Sequence, residues 1–227
     1  MEQDGEAYSV NITSQCRKRT NLTAMQIEHL KRIEISLPFV ADLAHAYLYL
    51  YVQTKEPGKM LVLKHYRPHT FFSEVELTGE GAFVSTLEEP LIAAAFAKGK
   101  FIQGQREWRF GINLEMYVQP IKCGNDVIGV VSLETGHSYA NSSNYHQLMD
   151  TALYLLDYAK KPLDKDEFHP MSPGTGIIIA DSNNRIVFAN LSANRIYRAL
   201  GIASLVGCRM QDRELSAMLH KETIDSS

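Results

Sequence analysis

The stretch AYLYLYVQTKEPGKMLVLKHY, residues 46–66, determines which class of fold the chain can adopt. Its first part places tyrosines 47, 49 and 51 on one side of the chain and Leu48, Leu50 and Val52 on the other. This alternation has the period of a β-strand. The turn sequence EPGK follows at 56–59, and MLVLKHY then returns with strand character. The stretch therefore predicts a β-hairpin with two different faces.

A helical pattern precedes the hairpin. Thr23 and Gln26 have the spacing of a capping box, in which each side chain bonds a free backbone N–H of the other residue. From Ile27 to Ala44, apolar residues recur at helical spacing. Pro38 lies within this stripe and removes one backbone hydrogen bond, so we expect a kink or break there.

Helix and hairpin alternate again after the first hairpin. LEEPLIAAAFAKGK at 87–100 predicts a helix. EMYVQPIKC and VIGVVSLE, joined by a Gly-Asn-Asp turn at 124–126, predict a second hairpin. A last helix is expected over 144–160, where apolar residues follow a three-four spacing close to that of a coiled coil. The pattern is typical of an α+β domain, an antiparallel sheet flanked by helices.

A second pattern begins near the C-terminus. GIIIADSNNRIVFANLSANRIY at 176–197 predicts strand, tight turn, strand and helix. The segment KKPLDKDEFHPMSPGT before it is rich in charge and proline, which is typical of a linker. We therefore divide the chain into a flexible tail (1–20), the α+β domain (21–160), a linker (161–174) and a second, incomplete domain (175–227).

The composition of the chain argues against several classes of partner. Among 227 residues, 45% are hydrophobic and 22% are charged, with a net charge of -3, whereas domains that capture nucleic acid are usually strongly basic. No apolar run approaches the roughly 18 residues that suggest a membrane span. Three widely separated cysteines form no CxxC pair and fit a reducing compartment. We expect a cytoplasmic protein that binds neither nucleic acid nor membrane.

The sequence contains no recognisable catalytic or metal-binding constellation. The eight histidines show no HExxH and no regular ligand spacing, and no phosphate-binding glycine motif stands between a strand and a helix. Glu88 and Glu89 are explained by the favourable interaction of carboxylates with a helix start. We therefore expect no enzyme activity from these residues, no catalytic residue and no metal site.

Aromatic and polar residues crowd two stretches near strand ends, KHYRPHTFF and QREWRFGINLEMY. One interpretation is that they are surface loops and core aromatics. The other is a ligand pocket over the sheet, with apolar walls and a few polar groups that fix the ligand. Its candidate ligand-binding residues are Tyr66, Arg67, Trp108, Arg109, Phe110, Tyr117 and Gln119.

Four segments together resemble a known family. LPFVADLAHAYLYLYV, HYRPHTFFSEV, EEPLIAAAFAKGK and YVQPIKCGNDVIGVVSLET are similar to the GAF-like N-terminal domain of cytosolic two-component sensor histidine kinases. The segment from 176 onward resembles the start of a PAS domain, which this family places after GAF. The resemblance implies a GAF-like domain followed by the N-terminal part of a PAS domain, in a chain that is a fragment of a longer kinase.

The resemblance also implies a function and partners. The leading hypothesis is a regulatory region that binds an unknown small-molecule cue in the GAF-like domain and controls a distal kinase core. That core would use ATP and Mg to phosphorylate itself and would pass the phosphoryl group to a response regulator. Some regulators of this kind are antiterminators, including those of ethanolamine-utilisation sensor kinases. The alternative is a dimerisation and linker module with a closed pocket. From the apolar seam, we expect a homodimer through helices 22–45 and 144–160. No cofactor is expected in these residues.

Overall fold

A six-stranded antiparallel sheet forms the centre of the larger of two compact units, Met1–Pro170 and Met171–Ser227. The computed structural model describes residues 11–68, 78–109, 111–136, 145–158 and 176–210. The strand order in the sheet is β3-β2-β1-β6-β5-β4. The strands are β1 (Tyr47–Gln53), β2 (Lys59–Tyr66), β3 (Phe83–Ser85), β4 (Ile102–Arg109), β5 (Ile112–Cys123) and β6 (Asp126–Gly136).

The described residues of this unit also form five helices: α1 (Ile12–Arg19), α2 (Ala24–Glu34), α3 (Leu37–Ala44), α4 (Pro90–Lys98) and α5 (Tyr145–Tyr158). Both predicted hairpins are confirmed, since β1 pairs with β2 and β5 pairs with β6. The capping box of Thr23 and Gln26 is also present, with bonds of 2.9 and 3.3 Å. The break that Pro38 predicts separates α2 from α3.

Two parts of the larger unit differ from the sequence-based expectation. Residues 12–19, assigned to a flexible tail, form α1 because Asn11 caps it and Ile12 and Cys16 are buried on one side. Two apolar residues are too few to reveal a helical period. Residues 105–109, which begin the stretch QREWRFGINLEMY and are expected in a loop, belong to strand β4. Its polar side chains hide the alternation that marks a strand, because β4 lies at the edge of the sheet.

The two faces of the sheet carry different residues, as the hairpin sequence predicts. We call one the tyrosine face: Tyr47, Tyr49 and Tyr51 pack there with Ile92 and Phe96 of α4. The opposite side is the helix face. A Cβ on Gly129 would lie 3.1 Å from Leu30 of α2 and 3.4 Å from Leu50, so α2 packs closely against this side. The two faces are therefore covered by different helices.

Helix α5 buries most of its apolar seam within the chain. Leu148, Met149, Ala152 and Leu156 are all buried, and α5 packs against α3. Leu155 is half-buried, and Tyr154 is exposed. The seam that motivates the homodimer is thus already used in folding, and the homodimer stays a prediction. Among the described residues, no helix is both long enough and apolar enough to span a membrane.

The smaller unit shows the predicted order of strand, turn, strand and helix. Strands β7 (Ile178–Ala180) and β8 (Ile186–Ala189) pair antiparallel, and helix α6 (Leu191–Ala199) follows. The turn between the strands is closed by Asp181, whose Oδ1 accepts 2.9 Å hydrogen bonds from the backbone N–H groups of Asn183 and Arg185. The assignment of this unit to the PAS fold stays a prediction.

Asn190 is expected to be the most sensitive polar residue of the smaller unit. Its Oδ1 accepts from Ala193 N at 2.8 Å, which caps α6, and from Ile177 N at 3.0 Å, which fixes the start of β7. Asn190→Ala should lower the free energy of unfolding of this unit by about 2 kcal/mol, since it removes a cap and leaves a second, partly buried donor unpaired. The free energy of unfolding of the smaller unit is measured by urea denaturation, with amide exchange of this unit as the readout. Asn183→Ala, in the exposed turn, is the control, and an equal loss in both variants would contradict the assignment.

Candidate functional site

A buried cluster of charges lies on the tyrosine face. Arg106 comes from β4, Glu134 from β6 and Glu89 from the N-cap position of α4. Arg106 and Glu134 lie on the same face of the sheet. Gly104 and Glu134 both pair with Met116 on β5, so these residues share a face. Arg106 is two residues beyond Gly104 and therefore lies on that face as well. The sheet therefore carries this cluster beneath the start of α4.

The guanidinium of Arg106 joins the two carboxylates. Its Nη1 donates to Glu89 Oε1, and its Nη2 donates to Glu134 Oε2. The hydroxyl of Ser132 donates to the other oxygen of Glu134 at 3.0 Å. The Glu134 side chain is 1% exposed, the Glu89 side chain 11% and the Arg106 side chain 27%. Arg106 thus lies at the most accessible part of the cluster and Glu134 at its deepest.

Burial dominates the protonation of the carboxylates. It raises the pKa of Glu134 to about 7, although Arg106 acts in the opposite direction. Burial also raises the pKa of Glu89, again against the influence of Arg106. For Arg106, burial opposes the charged form, but Glu134 and Glu89 together raise its pKa. Two carboxylates share one guanidinium, so the cluster has an excess of one negative charge when both are ionised.

Tyrosines of β1 border the cluster. Burial, followed by the charge of Glu134, raises the pKa of both Tyr49 and Tyr51, so both phenols are neutral. The Tyr49 ring lies 6.0 Å from the Tyr51 ring and 6.3 Å from the ring of His65, measured between centroids. The rings of Tyr49 and Tyr51, which are themselves buried, therefore lie directly beside buried charges.

Two buried nitrogen atoms on this face have no hydrogen-bond partner among the described residues. They are Nε of Arg106 and Nδ1 of His65. His65 belongs to the tyrosine face because it pairs with Tyr49 across the hairpin, and burial lowers its pKa. Buried polar atoms are nearly always satisfied, so each exception calls for an explanation such as a bound molecule. Both atoms could bond a ligand on this face.

The residues predicted from the sequence do not all lie on this face. Leu48 on β1 belongs to the helix face, and it pairs with Tyr66 on one side and with Leu133 on the other. Leu133 in turn pairs with Tyr117. Both tyrosine side chains therefore lie on the helix face. Gln119, two residues after Tyr117, shares that face. Arg67 follows β2 directly and is exposed. The structure therefore brings Tyr66, Tyr117 and Gln119 to the side of the sheet opposite Arg106.

The remaining predicted residues lie beside the cluster in sequence. Trp108 and Arg109 are the last two residues of β4 and not part of a loop. Their side chains, and Phe110 as a whole, lie outside the described residues. The ligand-binding role of these three residues stays a prediction.

The sequence holds only weak signals of the cluster itself. Glu89 was explained by the helix start alone, and its position at the N-cap of α4 agrees, yet its carboxylate bonds Arg106 and makes no cap hydrogen bond. Glu134 follows Ser132 and Val130 at strand spacing, which places a polar end on an otherwise apolar face. Arg106 lies in the strand that the sequence pattern does not reveal.

A separate cleft of about 550 Å³ lies at the other end of the sheet. Its walls come from the start of α2, the end of α4 and the β5–β6 turn, including Gln26, Lys98, Lys122 and Asp126. Gln26 Nε2 donates to Asp126 Oδ2 at 3.2 Å across it. None of the predicted ligand-binding residues whose side chains are described lines this cleft. Within the described ranges, no group of His, Cys, Asp and Glu has the arrangement of a metal site.

Comparisons with known proteins give a consistent result for the larger unit. The family described as "Histidine kinase PdtaS, GAF domain" matches residues 12–152. A solved structure described as the sensor region of a sensor histidine kinase aligns with a TM-score of 0.58 and 19% identity. That alignment covers 95% of this chain and 82% of the other. At this identity it shows the fold alone.

A second solved structure is the GAF domain of a phosphoenolpyruvate-protein phosphotransferase from Acinetobacter. It aligns with a TM-score of 0.37 and 14% identity, covering 61% of this chain and 94% of the other. This alignment is too poor to support any argument. No curated protein matches the chain.

Proposed function

The chain belongs to the family of the PdtaS histidine kinase GAF domain, and from this premise we propose that a small-molecule cue binds on the tyrosine face and controls a distal kinase core. The observation that carries the proposal is the Arg106 cluster: a partly buried arginine whose Nε has no hydrogen-bond partner among the described residues, beside neutral tyrosine rings. The kinase core would use ATP and Mg, and its phosphoryl group would pass to a response regulator.

The charges of the cluster restrict the cue. Arg106 is already paired with two carboxylates, so an anion would add a third negative charge to a buried site. A cue without net negative charge avoids this cost. It could accept a hydrogen bond from Arg106 Nε and pack against the Tyr49 ring. Trp108 and Arg109 follow on the same strand, so part of the site predicted from the sequence adjoins this one.

Control of a kinase requires that the cue bind two states of the domain with different affinity. The cluster provides a basis for such a difference, because it joins β4, β6 and α4 through a single side chain. A ligand that bonds Arg106 changes how strongly α4 is held against the sheet. The proposal therefore predicts that ligand binding alters the position of α4.

A thermal-shift screen tests the ligand site. We expect uncharged or basic metabolites, and not anions, to raise the melting temperature of the wild type by several degrees, since binding only to the folded state stabilises it by about 2.7 kcal/mol at a hundredfold excess over Kd. Glu134→Gln removes one of the two negative charges near the ligand, so the concentration of a basic metabolite needed for the same shift should rise about tenfold, which corresponds to about 1.4 kcal/mol.

Gln119→Ala, on the helix face, is the matched control and should leave the ligand-induced shift intact. Trp108→Ala and Arg109→Ala test the site predicted from the sequence. A shift that is lost in these two variants and retained in Glu134→Gln would favour that site. The absence of any shift across the screen would favour the alternative, a dimerisation and linker module with a closed pocket.

A further inference from the structure

The loop formed by residues 78–82, which we call the edge loop, contacts both faces of the sheet. It precedes β3 at the edge of the sheet, where Gly81 N donates to Val62 O at 2.8 Å and Val62 N donates to Ala82 O at 2.9 Å. On the tyrosine face, Val62 packs in the same buried cluster as Tyr49, and the Thr78 backbone, as a hydrogen-bond partner of the phenol, opposes the rise that burial causes in the pKa of Tyr49. The loop is therefore attached to a residue that borders the Arg106 cluster.

On the helix face, the edge loop is attached to α2 through a buried lysine. Lys64 Nζ lies 3.1 Å from Glu80 Oε2 in the loop and 3.4 Å from Glu34 Oε1 at the end of α2. The Lys64 side chain is only 4% exposed. Burial, followed by the neighbouring Glu34 carboxylate, raises the pKa of the Tyr66 phenol, so Tyr66 also lies beside Glu34. A single ammonium thus joins the loop to the last residue of α2, just before the break between α2 and α3.

We propose that the edge loop transmits a change at Tyr49 to the α2–α3 junction through the Glu80–Lys64–Glu34 ion pairs. Tyr49 pairs with Ser132, whose hydroxyl donates to Glu134, so a ligand or proton at the cluster acts on a direct neighbour of Tyr49. Displacement of the Thr78 backbone moves Glu80, two residues later. The Lys64 ammonium then interacts more weakly with one carboxylate and more strongly with the other, so the ion pair that holds Glu34 changes in strength.

Burial makes this connection effective. Water weakens Coulomb interactions between exposed charges. A buried ammonium interacts strongly with each carboxylate, and the energy of that interaction depends steeply on the distance between the charges. The edge loop is also held by α1, because Arg19 Nη1 donates to Gly81 O at 3.0 Å. A shift of the loop is therefore sensed by α1 as well. The inference rests on the proposed function, since it describes how the state of the same site reaches the helices.

Amide hydrogen exchange on the whole chain tests the route without any ligand. Tyr49→Phe removes the phenolic hydroxyl and keeps the ring. We expect exchange to accelerate about fivefold at Gly81 in the edge loop and at Ser36, whose N–H donates to Ile33 O at the end of α2. In a Glu80→Gln background, Tyr49→Phe should still accelerate Gly81 but no longer affect Ser36.

Tyr117→Phe is the control. It makes the same change on β5, on the opposite face of the sheet, and should not alter amide exchange at Gly81 or Ser36. The proposal is overturned if Tyr49→Phe accelerates Gly81 alone, or if Ser36 still responds when Glu80 is glutamine. The exchange experiment contains no ligand, so a negative result in it does not bear on the proposed ligand site. A failed thermal-shift screen likewise leaves this route standing.

Discussion

Arg106→Met is expected to lower the free energy of unfolding of the larger unit by about 3–5 kcal/mol. The variant removes the one cation that Glu89 and Glu134 share, and it leaves Glu134 buried without a charge partner. Removing one member of a buried ion pair has this cost because the remaining carboxyl group must either stay charged without water or a partner, or take up a proton. For a domain of this size, the melting temperature should fall by about 10 °C.

The same reasoning predicts a rescue. Arg106→Met combined with Glu134→Met replaces the deepest pair with apolar side chains and should recover at least half of the loss, since buried pairs are often replaceable by apolar groups at little cost. Arg67→Met, at an exposed arginine, should change stability by less than about 0.5 kcal/mol. Thermal and urea denaturation measure all three. If Arg106→Met proves as mild as Arg67→Met, the cluster is not a stabilising element.

Stability should fall as pH rises from about 4.5 to about 7. The pKa of Glu134 is raised by burial from 4.5 to about 7, so within this window the folded chain retains a proton that the unfolded chain has released. A group with a raised folded-state pKa stabilises the fold below its unfolded pKa and loses that contribution as pH rises. One pKa unit corresponds to about 1.4 kcal/mol, so the full change is about 3 kcal/mol.

Other groups facing Glu134 affect the same window. Arg106 remains charged throughout, the phenols of Tyr49 and Tyr51 remain neutral, and Glu89 has a raised pKa that adds a fall of the same sign. The contribution of Glu134 is therefore isolated as the difference between wild type and Glu134→Gln, measured by urea denaturation at intervals from pH 4 to pH 8. A difference that does not vary with pH would contradict the raised pKa of Glu134.

The sequence predicted the larger unit well where hydrophobic periodicity is strong. The tyrosine and leucine faces of β1, both hairpins and the Pro38 break are all confirmed. Strand β4 and helix α1 were missed because their few apolar residues give no clear period. A local pattern shows which residues alternate, but it does not show which elements cover them.

The candidate site illustrates this limit more sharply. Arg106 gains its role from two carboxylates that are 17 and 28 residues away in sequence, and only the strand order brings them together. Tyr117 and Gln119 were chosen for their chemistry, yet their strand register turns them to the helix face. The residue types suggest a polar aromatic site near these strands. Which of these side chains lie together on one face depends on the register of the strands.

The irregularity between β1 and β2 has a consequence for how this hairpin tolerates insertions and deletions. Leu50 pairs with Lys64 but Tyr51 pairs with Val62, so Leu63 is an additional residue in β2. If Leu63 were instead paired regularly, strict alternation from Met60 and Val62 would put Lys64 among the tyrosines, and His65 would face the helices. Deleting Leu63 removes the bulge and leaves Lys64 and His65 on their present faces, whereas one additional residue that is paired regularly would exchange the contents of both faces. In an evolutionary lineage, loss of Leu63 would therefore be better tolerated than such an insertion.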